Sequence, residues 1–245
     1  MIQTISSFRE VNWENLPSKS LVIFDIDEIL ITPADLLLKP VGRDFNGWGK
    51  IPLKEFEYYL SIMLASTKYV LVDAEAPNLI KKMLQKGILA IALTACSTGA
   101  IGVIQSMEEW RFNQLNALGI DFSPFFEGEY VFSELVDAKS RPPLFKNGIL
   151  FTGDLQNPEK SAKGQLLGIF LDKINWSPEK VIFIDDSQKH LEAVFQELNQ
   201  RGIPFQGHLL TTPTLQLNEK IAELQIRTLL DTNKWITDQE AKILD

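Results

Sequence analysis

The sequence predicts an α/β protein built on a doubly wound, Rossmann-like parallel sheet flanked by helices. Three observations carry that expectation. Residues 21–24, 88–93 and 181–184 are apolar throughout, as strands buried on both faces of a parallel sheet are. Stretches with apolar residues at helical spacing separate these runs. Each run ends in a polar residue, Asp25, Thr94 or Asp185, at the carboxyl end of its strand, where open α/β sheets bind their ligands.

Taken in order, residues 1–20 read as a lead-in, with a short helix around Phe8 to Trp13 ending at Pro17. The first core strand covers about 21–26. If the chain stays extended that far, alternation turns Asp25 and Asp27 to one side. Breakers Pro33, Pro40, Gly42, Gly47 and Gly49 make 31–50 irregular. Pro52 opens a helix with Leu53, Phe56, Leu60, Met63 and Leu64 on one face. Pro77 suits the first turn of the next, whose stripe is Leu79, Ile80, Met83 and Leu84, and Gly87 ends it. After the strand at 88–93, a helix over about 102–118 stops at Gly119. Strand candidates at 130–132 and 149–152 suggest a small β-flap or hairpin. Lys163 and Gly164 open a further helix, and the strand at 181–184 follows Pro178. A helix at about 187–200 carries Leu191, Val194, Phe195 and Leu198, and Gly202 closes it. A strand at 203–210, a helix marked by Leu217, Ile221 and Leu224, and a short polar helix after Trp235 complete the chain.

With 245 residues, 45% hydrophobic and 23% charged, the chain has an ordinary globular composition. Its formal net charge of −8 argues against nucleic-acid phosphates as partners. Cys96 is the only cysteine, which excludes an intramolecular disulfide and a cysteine-based metal cage. The N-terminal stretch lacks the basic start and apolar core of a signal peptide, and no apolar run approaches membrane-spanning length. The cytoplasm is the expected location; a non-classical export signal leaves no such mark.

The chemistry-bearing residues come in a fixed order. Asp25 and Asp27 follow the first strand, Thr94 the second, and Asp185 and Asp186 the third, with Lys163 opening the helix before that last strand. Each has an ordinary explanation alone. Asp is common in turns, Thr94 could be a plain strand-end hydroxyl, and Asp185 and Asp186 could cap a helix. Lys163 is a cation at a helix start, poorly placed against the dipole unless an anion faces it. Lys146 and Lys160 are rival lysines. Cys96 reads as inert packing, and His190 and His208 as surface or satisfied core residues.

Together, Phe24-Asp25-Ile26-Asp27-Glu28-Ile29-Leu30, Leu93-Thr94, Lys163-Gly164 and Ile184-Asp185-Asp186-Ser187 resemble the four motifs of the haloacid dehalogenase (HAD) superfamily over roughly residues 20–210. The tail around Trp235-Ile236-Thr237-Asp238 resembles an uncharacterised bacterial branch of HAD-like proteins. The resemblance implies a hydrolase that works as a phosphatase through an aspartyl-phosphate, with a small phosphorylated molecule as substrate. In it Asp25 is the nucleophile and Asp27 the general acid/base. Thr94 donates to phosphate oxygens and Lys163 offsets charge. Mg²⁺ is the implied cofactor, with Asp25, Asp27, Asp185 and Asp186 as its metal set. Two positions depart from the family pattern. Ile29 stands where Thr or Val is usual. Lys189-His190 stands where many relatives carry Asn, which removes a supporting partner.

The family places a specificity cap after its first or second motif. The expected division is a core of residues 1–30 and 77–245 with a small helical cap insert at 31–76. Within that insert, Arg43 and Trp48 lie in a glycine-rich loop. They either line the substrate pocket, with Arg43 near phosphate, or belong to a turn that Phe45 and Trp48 anchor by packing. A HAD-fold binding or interaction protein without turnover is the alternative reading. Dehalogenation needs neither Asp27 nor a metal, and a mutase calls for a larger enclosing cap.

Overall fold

The computed structural model describes residues 2–155 and 161–244. In chain order its elements are β1 (Ile2–Ile5), β2 (Ser20–Phe24), β3 (Ile31–Pro33), α1 (Phe56–Ser66), β4 (Tyr69–Leu71), α2 (Ala76–Gln85), β5 (Leu89–Thr94) and α3 (Met107–Ala117). There follow β6 (Tyr130–Val131), β7 (Leu144–Lys146), β8 (Ile149–Phe151), α4 (Ala162–Lys173), β9 (Lys180–Asp185), α5 (Gln188–Gln200), β10 (Phe205–Leu210), α6 (Glu219–Thr232) and α7 (Asp238–Leu244). Short 3₁₀ turns fill several connections. Among the described residues, no helix is long and apolar enough to cross a membrane.

The chain forms two compact units. The first comprises residues 1–31, 71–98 and 108–212. It holds an eight-stranded sheet in the order β1-β10-β9-β2-β5-β8-β7-β6. The strands from β1 to β8 in that order run parallel, and β8-β7-β6 are antiparallel. The α/β class and the flanked, mostly parallel sheet are as the sequence predicts. Leu21, Ile23, Ile91, Leu93, Val181 and Phe183 pack with residues of α4 and α5 in one core. The alternate residues face the other way, where Phe24 meets Phe8, Trp13 and Phe122. Alternation of period 2 thus buries both faces of the central strands.

Three local expectations need correction. The lead-in contributes an edge strand, β1, paired with β10, and only one 3₁₀ turn at Phe8–Glu10. The helix expected from 102 begins at Met107, because Gly99 (φ 71°) and Gly102 (φ 53°) take left-handed conformations and Ile101 bridges to Ile104 instead. The small β-flap or hairpin expected from strands at 130–132 and 149–152 is an antiparallel extension of the main sheet, since β8 pairs in parallel with β5. Its hairpin partner is β7, joined through Asn147 (φ 52°) and Gly148 (φ 73°), a pair of residues suited to a type I′ turn. A Cβ on Gly148 would lie 2.3 Å from the Phe122 carbonyl oxygen. Gly148→Ala is therefore expected to cost about 2 kcal/mol or more of stability, read as a lower midpoint in chemical denaturation.

The second unit comprises residues 32–70, 99–107 and 213–245. The C-terminal segment, expected with the core, thus groups with most of the insert, whose bounds fall at 32 and 70 instead of 31 and 76. The reason is apolar. Ala222, Ile226 and Leu229 of α6, with Trp235, share a buried cluster with Leu37, Phe45, Ile51, Tyr59, Ile62 and Met63. A polar staple adds to it. The buried Asp35 carboxylate accepts from the Thr67 hydroxyl, from Trp235 Nε1 at 2.9 Å and from the Asp238 backbone N–H at 2.8 Å. Asp35→Ala leaves these donors without their acceptor, at an expected cost of about 2–4 kcal/mol. Limited proteolysis is expected to open the chain first between 213 and 245.

Candidate active site

Strand alternation sets the first pair of carboxylates. Leu21 and Ile23 of β2 face the α4–α5 layer, and Asp25 continues that parity. Val181 and Phe183 of β9 do the same, and Asp185 continues theirs. The strands are parallel neighbours with Phe24 opposite Ile184, and the Asp25 N–H donates to the Ile184 carbonyl at 2.9 Å. Both carboxylates therefore emerge side by side at the carboxyl ends of adjacent strands.

Lys163 reaches them from the start of α4, where Ser161 caps the helix by accepting from the Lys163 N–H at 3.2 Å. The following residue is Gly164, where a Cβ would lie 2.3 Å from the Ala193 carbonyl oxygen of α5. Glycine lets the two helices close over this point. The fully buried Lys163 Nζ lies 2.8 Å from Asp25 Oδ1 and 2.7 Å from Asp185 Oδ2. The rival Lys146 pairs with Glu109 at 2.8 Å and Glu129 at 3.3 Å, and Lys160 lies outside the described residues.

The three groups do not share their burial equally. Burial alone would pull Lys163 down, but Asp185 and Asp25 outweigh it and hold the ammonium above its ordinary value. Burial pushes Asp185 up, yet Lys163 and His190 more than offset this and leave it below the usual carboxylate range. For Asp25 burial wins. It is held well above that range, Lys163 opposing and Asp185 and Asp27 adding to the effect. Two buried carboxylates face one ammonium, so a further cation beside Asp25 would relieve the excess negative charge.

Lys189-His190, in place of the Asn of many relatives, was expected to remove a supporting partner, but His190 supplies one. His190 Nδ1 lies 3.0 and 3.2 Å from the two Asp185 oxygens, and the Ser187 N–H donates to Asp185 Oδ1 at 2.8 Å. Both oxygens of Asp185 are thus engaged. Asp25, Asp185 and His190 each offer a ligand atom, all within 4.8 Å of one another. Asp186 is half-buried on the residue that follows Asp185.

The extended strand does not persist to Asp27, the condition under which alternation would turn it to the same side as Asp25. Strand β2 ends at Phe24, and the chain turns so that the Ile26 carbonyl accepts from the N–H of Leu30 (2.9 Å) and Ile31 (3.1 Å). Glu28 adopts φ 62° in this turn, an uncommon conformation for a residue other than glycine. The Asp27 side chain is 45% exposed, and it meets the buried Arg111 guanidinium, whose Nη2 lies 3.0 Å from Oδ1 and 3.1 Å from Oδ2. Arg111 went unnoticed in the sequence. A signal was present, because Met107, Arg111 and Leu115 share one helical face and all three are buried. A charge on such a stripe needs a counter-charge.

Thr94 ends β5 fully buried, its hydroxyl accepting from the Cys96 N–H at 3.2 Å. Burial pushes the Cys96 thiol up to about 11, against the Arg111 charge, in keeping with an inert role. In the second unit Trp48 is held by its own neighbours, donating to the Gly42 carbonyl at 2.7 Å and meeting the Phe56 ring at 6.5 Å. Phe45 is buried, and Arg43 is exposed. Packing thus accounts for the aromatic residues of that loop.

Comparison with known proteins gives relatives without an established activity. An uncharacterized protein of Rickettsia prowazekii (strain Madrid E) is 26% identical over 240 residues, covering 93% of this chain and 83% of that protein. A Chlamydia muridarum (strain MoPn / Nigg) protein, provisionally named an outer membrane protein, is 24% identical over 99% of this chain and 89% of its own length. Among solved structures, a provisionally assigned beta-phosphoglucomutase from Thermotoga maritima aligns over 92% of this chain and 98% of that one, with a TM-score of 0.43 and 15% identity. A family model described as "Protein of unknown function (DUF2608)" matches residues 3–242, and the chain belongs to that family.

Proposed function

We propose that this chain is a Mg²⁺-dependent phosphohydrolase of the HAD type that cleaves a phosphomonoester through an aspartyl-phosphate on Asp25. One observation carries the reading. A fully buried ammonium bridges the carboxylates of Asp25 and Asp185 at the carboxyl ends of adjacent parallel strands. That is a costly arrangement for packing alone and a useful one for holding a nucleophile against an anionic substrate. The order of the four motifs along the sequence supports it.

In this reading Asp25 attacks phosphorus as the leaving oxygen takes a proton from Asp27. Asp27 then takes a proton from the water that attacks the aspartyl-phosphate, releasing phosphate and restoring Asp25. Lys163 stabilises the ionised nucleophile and offsets charge on the phosphoryl oxygens. Thr94 supplies a hydroxyl to one of them. The donor set fits a hard cation. Asp25, Asp186 and the backbone carbonyl of Asp27 would hold Mg²⁺, which leaves the Asp27 carboxyl for proton transfer, with Asp185 beside them committed to Lys163 and His190. The ion, when bound, neutralises charge on the transferring group. The insert at 31–76 is the candidate for the cap that selects substrate.

The test is phosphate release from an aryl phosphate and a panel of phosphorylated metabolites, with and without Mg²⁺. The reading requires release that depends on both Mg²⁺ and Asp25. Bound Mg²⁺ with no release from any substrate would favour a binding protein.

A further inference from the structure

We infer that Arg111 is the positioning residue that holds Asp27 for proton transfer to the leaving group, an inference that rests on the acid/base role proposed for Asp27. Asp27 lies beyond Phe24, the last residue of β2, and directly precedes a residue with φ 62°, so β2 does not fix the direction of its side chain. Its side chain is 45% exposed, whereas that of Arg111 is 5% exposed. The fixed partner is therefore the arginine. Its Nη2 reaches both Asp27 oxygens at 3.0 and 3.1 Å. Its Nη1 donates to Gln114 Oε1 at 3.0 Å, one turn further along α3. A planar, buried guanidinium held through both terminal nitrogens has little freedom, and it confers that order on a carboxylate which would otherwise sample several rotamers. Proton transfer demands such order, since misplacement of about 1 Å costs on the order of 100-fold in rate.

Leaving groups separate this role from the others open to Arg111. An alkyl phosphate needs a proton on its departing oxygen, whereas an aryl phosphate with an acidic phenol departs as the anion. The value of kcat/KM reports the steps through that departure. Arg111→Gln is expected to lower kcat/KM about 100-fold on glycerol phosphate and much less on p-nitrophenyl phosphate, with KM little changed. Arg111→Lys keeps the charge but has no second nitrogen to hold Gln114 as well, and is expected to recover part of the loss. Gln114→Leu, at a half-exposed position, is expected to move the ratio of the two substrates in the same direction by a few-fold.

An equal fall on both substrates with a raised KM would place Arg111 on the substrate's phosphate and overturn the inference. So would an unchanged ratio in both the Arg111→Gln and Gln114→Leu proteins. Asp27→Asn is the control for the reading beneath it. If that variant is also indifferent to the leaving group, or if wild type hydrolyses neither ester, the acid/base role fails and the inference falls with it. If Asp27→Asn discriminates and Arg111→Gln does not, the inference alone is lost.

Discussion

Asp25→Asn is expected to lower Mg²⁺-dependent phosphate release by about 10⁴-fold or more, the scale on which removal of a covalent nucleophile acts. The same variant is expected to be more heat-stable than wild type at neutral pH without divalent cations. Burial holds the Asp25 carboxyl well above its ordinary value of 3.8, so the folded protein resists ionising it. That penalty is absent below the unfolded value, near pH 4, and grows as pH rises toward the folded one. Asn escapes it while keeping an oxygen for Lys163. The stability gap between the two proteins should therefore close as pH falls toward 4, and should narrow when Mg²⁺ is added to wild type. Melting curves over pH, with and without Mg²⁺, check both signs. Loss of activity together with gain of stability is the mark of a group kept for chemistry and not for folding.

Lys163→Met is expected to act oppositely, costing about 3–5 kcal/mol of stability, because it leaves two buried carboxylates without their counter-charge. The pair it breaks is stabilising over a wide pH range. Asp185 is held below its unfolded value of 3.8, so its contribution is present above that value and lost as pH falls through the lower folded one. Lys163 is held above its unfolded value of 10.5, so its contribution is present below that value and lost as pH rises through the higher folded one. Urea denaturation of both proteins at neutral pH measures the difference. A melting midpoint that Mg²⁺ partly restores in Lys163→Met would further show that charge, and not lost packing, causes the defect.

The central sheet was legible because its strands carry uninterrupted apolar runs, and the candidate site because those runs end in polar residues at the carboxyl ends of their strands, whereas the alternation expected to align Asp27 with Asp25 stops with β2 at Phe24. Asp25 and Asp185 followed from β2 and β9 in that way, and Lys163 from an ammonium set at a helix start. Other elements gave weaker signals. Strand β1 reads Ile-Gln-Thr-Ile, with its two polar residues exposed at a sheet edge, so it has no apolar run to betray it. Strand β7 is three residues long and follows Pro142 and Pro143. The Asn147-Gly148 pair after it was the stronger clue to the hairpin. The partnership of α6 with the insert depends on contacts distant in sequence, such as Trp235 with Asp35. No local pattern encodes such contacts. Arg111 and Asp27 likewise meet across 84 positions, and only a charge on an apolar helical stripe hinted that a partner was needed. His190 read as a surface or satisfied core residue because its role lies in which Asp185 oxygens it faces.

The most direct measurement traps the covalent intermediate. Wild-type protein is mixed with excess p-nitrophenyl phosphate and Mg²⁺, quenched in acid, and reduced with borohydride, which converts an aspartyl-phosphate to homoserine. Peptide mass spectrometry then locates the change. Homoserine is expected at position 25, absent without substrate and absent in Asp25→Asn, if hydrolysis runs through an aspartyl-phosphate there. Phosphate release that proceeds while Asp25 stays unmodified, or label at another residue, would contradict it.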